Sequence, residues 1–299
     1  MKNSAKTPKI IQFMHPGKEH SYASGDTFKS KNNKQHERNF IFADGSYIDD
    51  SGNKVDDALC FWGEWENAAN AKPIGSNKQT QQGLPHHLIT PVPVTPTERA
   101  ENTDPFVFGS SFKYFCCRQP KYKSLKELDR GDIILFGSRK NFRFVIDTVF
   151  VVADKISYKS GDYEEARTML ANDFEPFFSN SFCTMAVPNY GKKCKTGSTS
   201  CNTPVRTCGK ADSYTLYIGA TPDNPVDGMF SFAPAKPLNS CPNGFARPEI
   251  SAKVVNGISS YKLRSIKKIN STNIVQDWKN ICSAVQKTGC VLGVHFELK

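Results

Sequence analysis

The run Phe61-Trp62-Gly63-Glu64-Trp65-Glu66 joins aromatic rings to two carboxylates two residues apart. Read as a strand, it places Leu59, Phe61 and Trp65 on one face and Trp62, Glu64 and Glu66 on the other. The first face is core. The second sets a large ring beside carboxylates whose Cβ atoms lie about 7 Å apart. In a sheltered cleft, like charges that close push one pKa up and leave the other group ionised, as acid–base chemistry requires. On an edge strand the same glutamates would face water, and the spacing allows both readings.

A second cluster is His15-Pro16-Gly17-Lys18-Glu19-His20. Zinc-peptidase motifs stack their ligands on a helix, and Pro-Gly forbids that helix here. What survives is a loop after a buried strand presenting His15, Glu19 and His20, or else an ordinary polar turn. His36-Glu37-Arg38 adds an imidazole and a guanidinium shortly downstream. His86 and His87 are adjacent, so in a strand they point to opposite faces and at most one joins any site. His295 reads as a structural histidine of the last strand. Asp147 interrupts an apolar run, as a functional carboxylate or as a hydrogen-bonded structural one.

The partner is suggested by charge. Thirty-nine Lys+Arg against 29 Asp+Glu leave +10 over 299 residues. Residues Pro176 to Gln276 hold twelve basic side chains against four acids, so eight of the ten excess charges fall there. The basic set includes Lys192, Lys193, Lys195, Arg206, Lys262, Arg264, Lys267 and Lys268, interleaved with rings such as Tyr214, Phe230 and Tyr261. Such a field attracts polyanions, and bases stack on such rings. Nucleic acid is the expected partner, DNA or RNA; a merely soluble basic surface is the alternative.

Ten cysteines in a chain whose start shows no export signal imply reduced thiols and a cytoplasmic setting. Cys194, Cys201 and Cys208 recur at intervals of seven, but no C-x-x-C pair supports a zinc site. Cys60, Cys183, Cys282 and Cys290 lie in apolar runs and read as small buried hydrophobes. Phosphate-loop, dinucleotide and nucleophile-elbow motifs are absent, which disfavours nucleotide-driven motors, Rossmann dehydrogenases and typical esterases. No apolar run is long enough to span a membrane.

The elements that must hold these groups are mostly strands. Expected strands are Ile10–Met14, Asn39–Ala43, Asp57–Glu66, Ile133–Phe136, Phe142–Ala153, Tyr214–Ala220, Met229–Ala233 and Cys290–Leu298. Residues 67–102 carry scattered prolines and read as an extended surface excursion. Two helices are signed. One has Tyr163, Ala166, Met169 and Leu170 on one face after a capping box at Asp162; the other has Ile274, Trp278, Ile281, Cys282 and Val285, with Asn273 as N-cap and Gly289 at its end. The expected class is α+β, a mostly antiparallel, barrel-like core with a few flanking helices. The chain divides into a tail (1–8), a lobe with the candidate residues (9–175) and a basic lobe (176–299) that could pack with the first as one domain.

Leu125, Arg130-Gly131-Asp132 and the apolar hairpin to Val152 are similar to the Gly-Asp hairpin of PUA- and ASCH-like β-barrels. That resemblance covers about a tenth of the chain and implies a barrel that binds RNA or modified bases.

Together these features suggest a hydrolase acting on nucleic acid, directed at a base or its glycosidic bond. Glu64, Glu66 and Glu19 would be the carboxylates, with His15, His20 and His36 as partner acids. Trp62 and Trp65 would stack an extruded base, and Arg38 and the basic lysines would hold phosphates. No cofactor is expected, apart from a divalent ion if the enzyme is a metal-dependent nuclease. A non-catalytic reader of RNA or modified DNA and a binder of acidic protein are the other readings.

Overall fold

The computed structural model describes residues 7–22, 30–31, 36–75, 83–95, 100–115, 119–158, 163–183, 214–259 and 266–299. The class is mixed α+β, with strand at 43% outweighing helix at 19%. Thirteen strands are described: β1 (Lys9–His15), β2 (Ser30–Lys31), β3 (Asn39–Ile48), β4 (Lys54–Gly63), β5 (Ala68–Pro73), β6 (His87–Pro91), β7 (Lys113–Tyr114), β8 (Ile133–Lys140), β9 (Arg143–Tyr158), β10 (Tyr214–Gly219), β11 (Ala233–Pro237), β12 (Ile266–Asn270) and β13 (Val291–Phe296). The α-helices are α1 (Lys123–Lys126), α2 (Glu164–Leu170), α3 (Phe174–Phe177) and α4 (Ile274–Gln286).

One sheet has the order β12-β1-β8-β9-β10-β7, the other β13-β11-β4-β3-β6-β5-β2. Within the second, β13 also pairs with β3, so β3, β4, β11 and β13 close into a four-stranded antiparallel barrel. Closure needs a close approach at Gly45: a Cβ there would lie 2.0 Å from the His295 carbonyl oxygen. Lobes 9–175 and 176–299 share both sheets, because β10 and β12 extend the first and β11 and β13 complete the barrel.

Alternation divides side chains between two cores. Ile11, Phe13, Ile41, Leu59, Phe61, Ile134, Phe136 and Phe150 pack in one; Ile10, Phe40, Cys60, Trp62, Ile133, Leu135 and Val151 pack in the other. Both faces of the central strands are therefore buried, which explains why they read as near-continuous apolar runs. Asp132 ties the first sheet together: after Gly131, at φ 86°, its carboxylate accepts from the Lys9 amide (2.8 Å) and the Asp129 amide (2.9 Å). The Gly-Asp hairpin β8–β9 lies in this six-stranded sheet and not in the four-stranded closed barrel.

Several expectations are corrected. Residues 67–102 are not a mere excursion, since β5 and β6 pair with each other and β6 runs parallel to β3. The strand after Tyr214–Gly219 begins at Ala233, not Met229. Helix α2 buries Ala166 and Leu170 but leaves Met169 44% exposed. Helix α4 follows its signals: the Asn273 side chain accepts from the Gln276 amide at 3.1 Å, and Gly289 adopts φ 71°. Cys60, Cys183, Cys282 and Cys290 are buried free thiols. The tail expected over residues 1–8, the Asp162 capping box and Cys194, Cys201 and Cys208 fall wholly or largely outside the described residues. Among those residues no helix is long and apolar enough to cross a membrane.

Candidate functional site

Strand direction brings distant residues to one end of the fold. Strand β4 runs antiparallel to β3, with Gly63 opposite Asn39, so the residues after β4 meet those before β3. Strand β1 runs parallel to β8 and delivers His15 opposite Ser138. The loop after β1 then pairs with the approach to β3: the Arg38 amide donates to the Lys18 carbonyl (2.8 Å), and the His20 amide to the Arg38 carbonyl (2.9 Å). Asp147 comes from β9, and Arg247 from the segment whose Pro248 carbonyl accepts from the Ile146 amide (3.0 Å).

Arg38 lies at the centre and is 0% exposed. Its Nη2 donates to Glu64 Oε2 and, at 2.8 Å, to the His36 carbonyl. Its Nη1 sits 3.3 Å from His15 Nδ1 and 3.6 Å from Asp147 Oδ2. Arg247 holds the other side of Asp147: its Nη1 is 3.3 Å from Asp147 Oδ1 and 2.9 Å from Ser138 Oγ, and its Nη2 donates to the Gly17 carbonyl at 2.7 Å. The Arg247 guanidinium also lies 5.1 Å above the Trp62 ring. Buried ions must be paired, and here two guanidiniums face two carboxylates, Glu64 and Asp147.

Glu66 is the surplus carboxyl. It is buried, and among the described residues its ion-pair partner is His36, whose Nδ1 pairs with Glu66 Oε1 and lies 3.5 Å from Glu64 Oε1. His15 is 3.7 Å from Glu64 Oε2. Burial pushes the Glu64 carboxyl up, but Arg38, His36 and His15 outweigh it and bring it down to about 2. Glu66 is pushed up to about 7, first by burial and further by the charge of Glu64, against the hydrogen bond from His36. Hydrogen bonds to Glu64 and Glu66 hold His36 up at about 10, so its imidazole carries a proton at neutral pH. His36 adopts φ 51°, and its side chain is 53% exposed, so this is where the cluster meets solvent.

One atom each from His36, Glu64 and Glu66 lie within 4.8 Å of one another, the size of triangle that can hold a cation.

Of the residues expected from sequence, His15, His36, Glu64 and Glu66 converge. Glu19 and His20 do not. Glu19 Oε1 accepts from the amides of His86 (2.7 Å) and His87 (3.1 Å), and Oε2 lies 2.7 Å from His86 Nδ1, which ties the loop to β6. His20 Nδ1 faces Glu37 at 3.0 Å. Of the two histidine side chains, it is that of His86 that meets Glu19.

Strand β4 ends at Gly63, so Glu64 and Glu66 are not strand residues, and at 4% and 5% exposure both are buried and not ranged along an open edge. The stacking role for Trp62 and Trp65 is corrected. Trp62 donates to the Phe245 carbonyl (2.7 Å) and Trp65 to the Ala68 carbonyl (2.9 Å), with both rings inside the cores. Arg38 is likewise spent on Glu64 and Asp147 and cannot grip a phosphate. Lys267 donates to the Gly257 carbonyl (2.6 Å), while Lys268 is exposed on β12. Lys192, Lys193, Lys195, Arg206, Lys262 and Arg264 lie outside the described residues. His295 accepts its structural part, with Nδ1 2.8 Å from the Gly109 carbonyl oxygen. Arg247 and Ser138 are the site residues that sequence reasoning missed. Nothing in Ala246-Arg247-Pro248 marks it, whereas Asp147 was signalled by its place in an apolar strand.

No family model, curated protein or solved structure matches the chain.

Proposed function

We propose that the chain is a hydrolase of nucleic acid directed at a base or its glycosidic bond, with Glu66 as the general base. The observation that carries this reading is the charge asymmetry of the site. Arg38 and Arg247 neutralise Glu64 and Asp147, and Glu66 is left to exchange a proton near neutral pH. In the proposed step Glu66 takes a proton from water while the water oxygen bonds to the sugar carbon. The carbon–nitrogen bond breaks, its electron pair leaves with the base, and the His36 imidazolium at the solvent edge is the nearest acid to protonate it. The +10 net charge supports a polyanionic substrate.

The test incubates the wild type and Glu66→Gln with plain and base-modified DNA and with RNA, with and without EDTA. Products are resolved before and after alkali, which breaks strands at abasic sites. The expected result is alkali-dependent breaks that survive EDTA and vanish in the variant. Direct breaks abolished by EDTA would instead assign the His36–Glu64–Glu66 triangle to a divalent ion and a nuclease. Nucleic acid bound but left intact would replace the enzyme with a reader.

A further inference from the structure

We propose that the tip of the β8–β9 hairpin is a wedge for duplex nucleic acid, with Phe142 entering the base stack and Arg139 and Lys140 holding the flanking phosphates. The inference rests on the nucleic-acid reading above and extends it to how a paired base would be reached.

The tip is a two-residue turn between the paired Lys140 and Arg143, and both central residues have positive φ: Asn141 at 47° and Phe142 at 61°. Such turns take Asn-Gly or Asp-Gly, because glycine tolerates the second position. A bulky aromatic there is a backbone outlier, and outliers of this kind collect at functional contacts. Phe142 is also 68% exposed, the most exposed large hydrophobic among the described residues. Folding gains almost nothing from a ring that is strained and left in water.

One cation lies on the ring, and others neighbour it in sequence. The Arg139 guanidinium lies 4.6 Å from its centroid. Arg143 pairs with Glu249 at 3.2 Å, but neither Arg139 nor Lys140 has a carboxylate within ion-pair distance among the described residues. Lys140 is half-buried; burial and then Arg247 hold its ammonium below its ordinary value, with Glu19 and Asp147 acting the other way. An anionic ligand would relieve that cost.

The hairpin is also fixed to the site. A Cβ on Gly17 would lie 2.7 Å from the Arg139 carbonyl oxygen, so the loop after His15 rests on the hairpin stem. Ser138, the pairing partner of His15, bonds Arg247. Two strand residues, Arg139 and Lys140, and then the turn carry Phe142 roughly 7–10 Å beyond that layer, about two to three base steps. Proteins that extrude or kink bases insert apolar wedges of this kind between base steps, with cations on the adjoining phosphates.

The experiment compares the wild type with Phe142→Gly, which suits the turn and is expected to keep or raise the thermal midpoint, and with Arg139→Ala/Lys140→Ala. The probes are a DNA duplex carrying 2-aminopurine beside a central mismatch and the same strand unpaired. Wild type should raise 2-aminopurine fluorescence in the duplex. Phe142→Gly should lose that rise and bind duplex about tenfold more weakly, within the range of one base–aromatic stack, while keeping its single-strand affinity. The double variant should lower the slope of log affinity against log salt by about 2. Equal duplex binding and fluorescence for Phe142→Gly and wild type would overturn the wedge, as would wild type that binds anionic vesicles but no duplex. Neither readout needs bond cleavage. Turnover of a duplex substrate unaffected by Phe142→Gly would thus remove the wedge and leave the site, whereas duplex unstacking without turnover would do the reverse.

Discussion

Arg38→Met is expected to destabilise the fold by about 3–5 kcal/mol at neutral pH, measured by urea unfolding. The side chain is fully buried, and its loss leaves Glu64 facing only His36 and His15 while Asp147 keeps Arg247. A buried carboxylate without its guanidinium bears the full desolvation cost. In the wild type the Glu64 carboxyl is held down, so its contribution is present above the unfolded-state value of 4.5 and lost as pH falls through about 2. In the variant the carboxyl rises above 4.5 and folding favours its protonated form. The gap between the two proteins should therefore shrink as pH falls below about 4.5. Arg38→Met/Glu64→Gln should recover part of the loss, the coupling a double-mutant cycle measures. An Arg38→Met protein as stable as wild type would mean that the buried pair does not hold the site.

Glu66→Gln carries the second large effect, a fall in hydrolytic rate of about 10²–10⁴ with substrate affinity little changed. As general base, Glu66 works in its ionised form, so the wild-type rate should climb as pH rises through about 7. It should decline again as His36 loses its proton near 10. The residual activity of Glu66→Gln should lack the lower of these limbs, and Glu66→Asp should restore part of it. A Gln variant that keeps the rising limb would move the base elsewhere.

The strand content and the last helix were legible because they depend on local pattern: short apolar runs rich in β-branched and aromatic residues in β8 and β9, and an Asn273 cap and Gly289 stop around α4. What alternation cannot say is whether the second face meets water or a second core. Trp62 shows this: alternation puts it on the face of Glu64 and Glu66 as a base-stacking ring, and in the fold it is packed under Phe245 and Arg247. The same limit hid the fate of Arg38. A cation near histidines reads as a surface contact, and only the fold brings Glu64, 26 residues away, and Asp147 to neutralise it. Glu64, Glu66, His15 and His36 were legible as chemistry. Their partition, with one carboxyl locked by arginine and one left over, depends on Arg247, which enters from the far end of the chain. Phe142 escaped notice because a ring in a β-rich run reads as strand, and its positive φ appears only once the turn is formed.

Glu64 and Glu66, two residues apart, should titrate in separate pH ranges, Glu64 near 2 and Glu66 near 7. Carbon-13 NMR of glutamate side-chain carboxyls, assigned by Glu64→Gln and Glu66→Gln, measures both directly across a pH titration. One carbon should titrate near 7, and the other should stay ionised down to the acid limit of the fold, toward 2. Two carboxyls titrating together at the ordinary glutamate value would contradict the account.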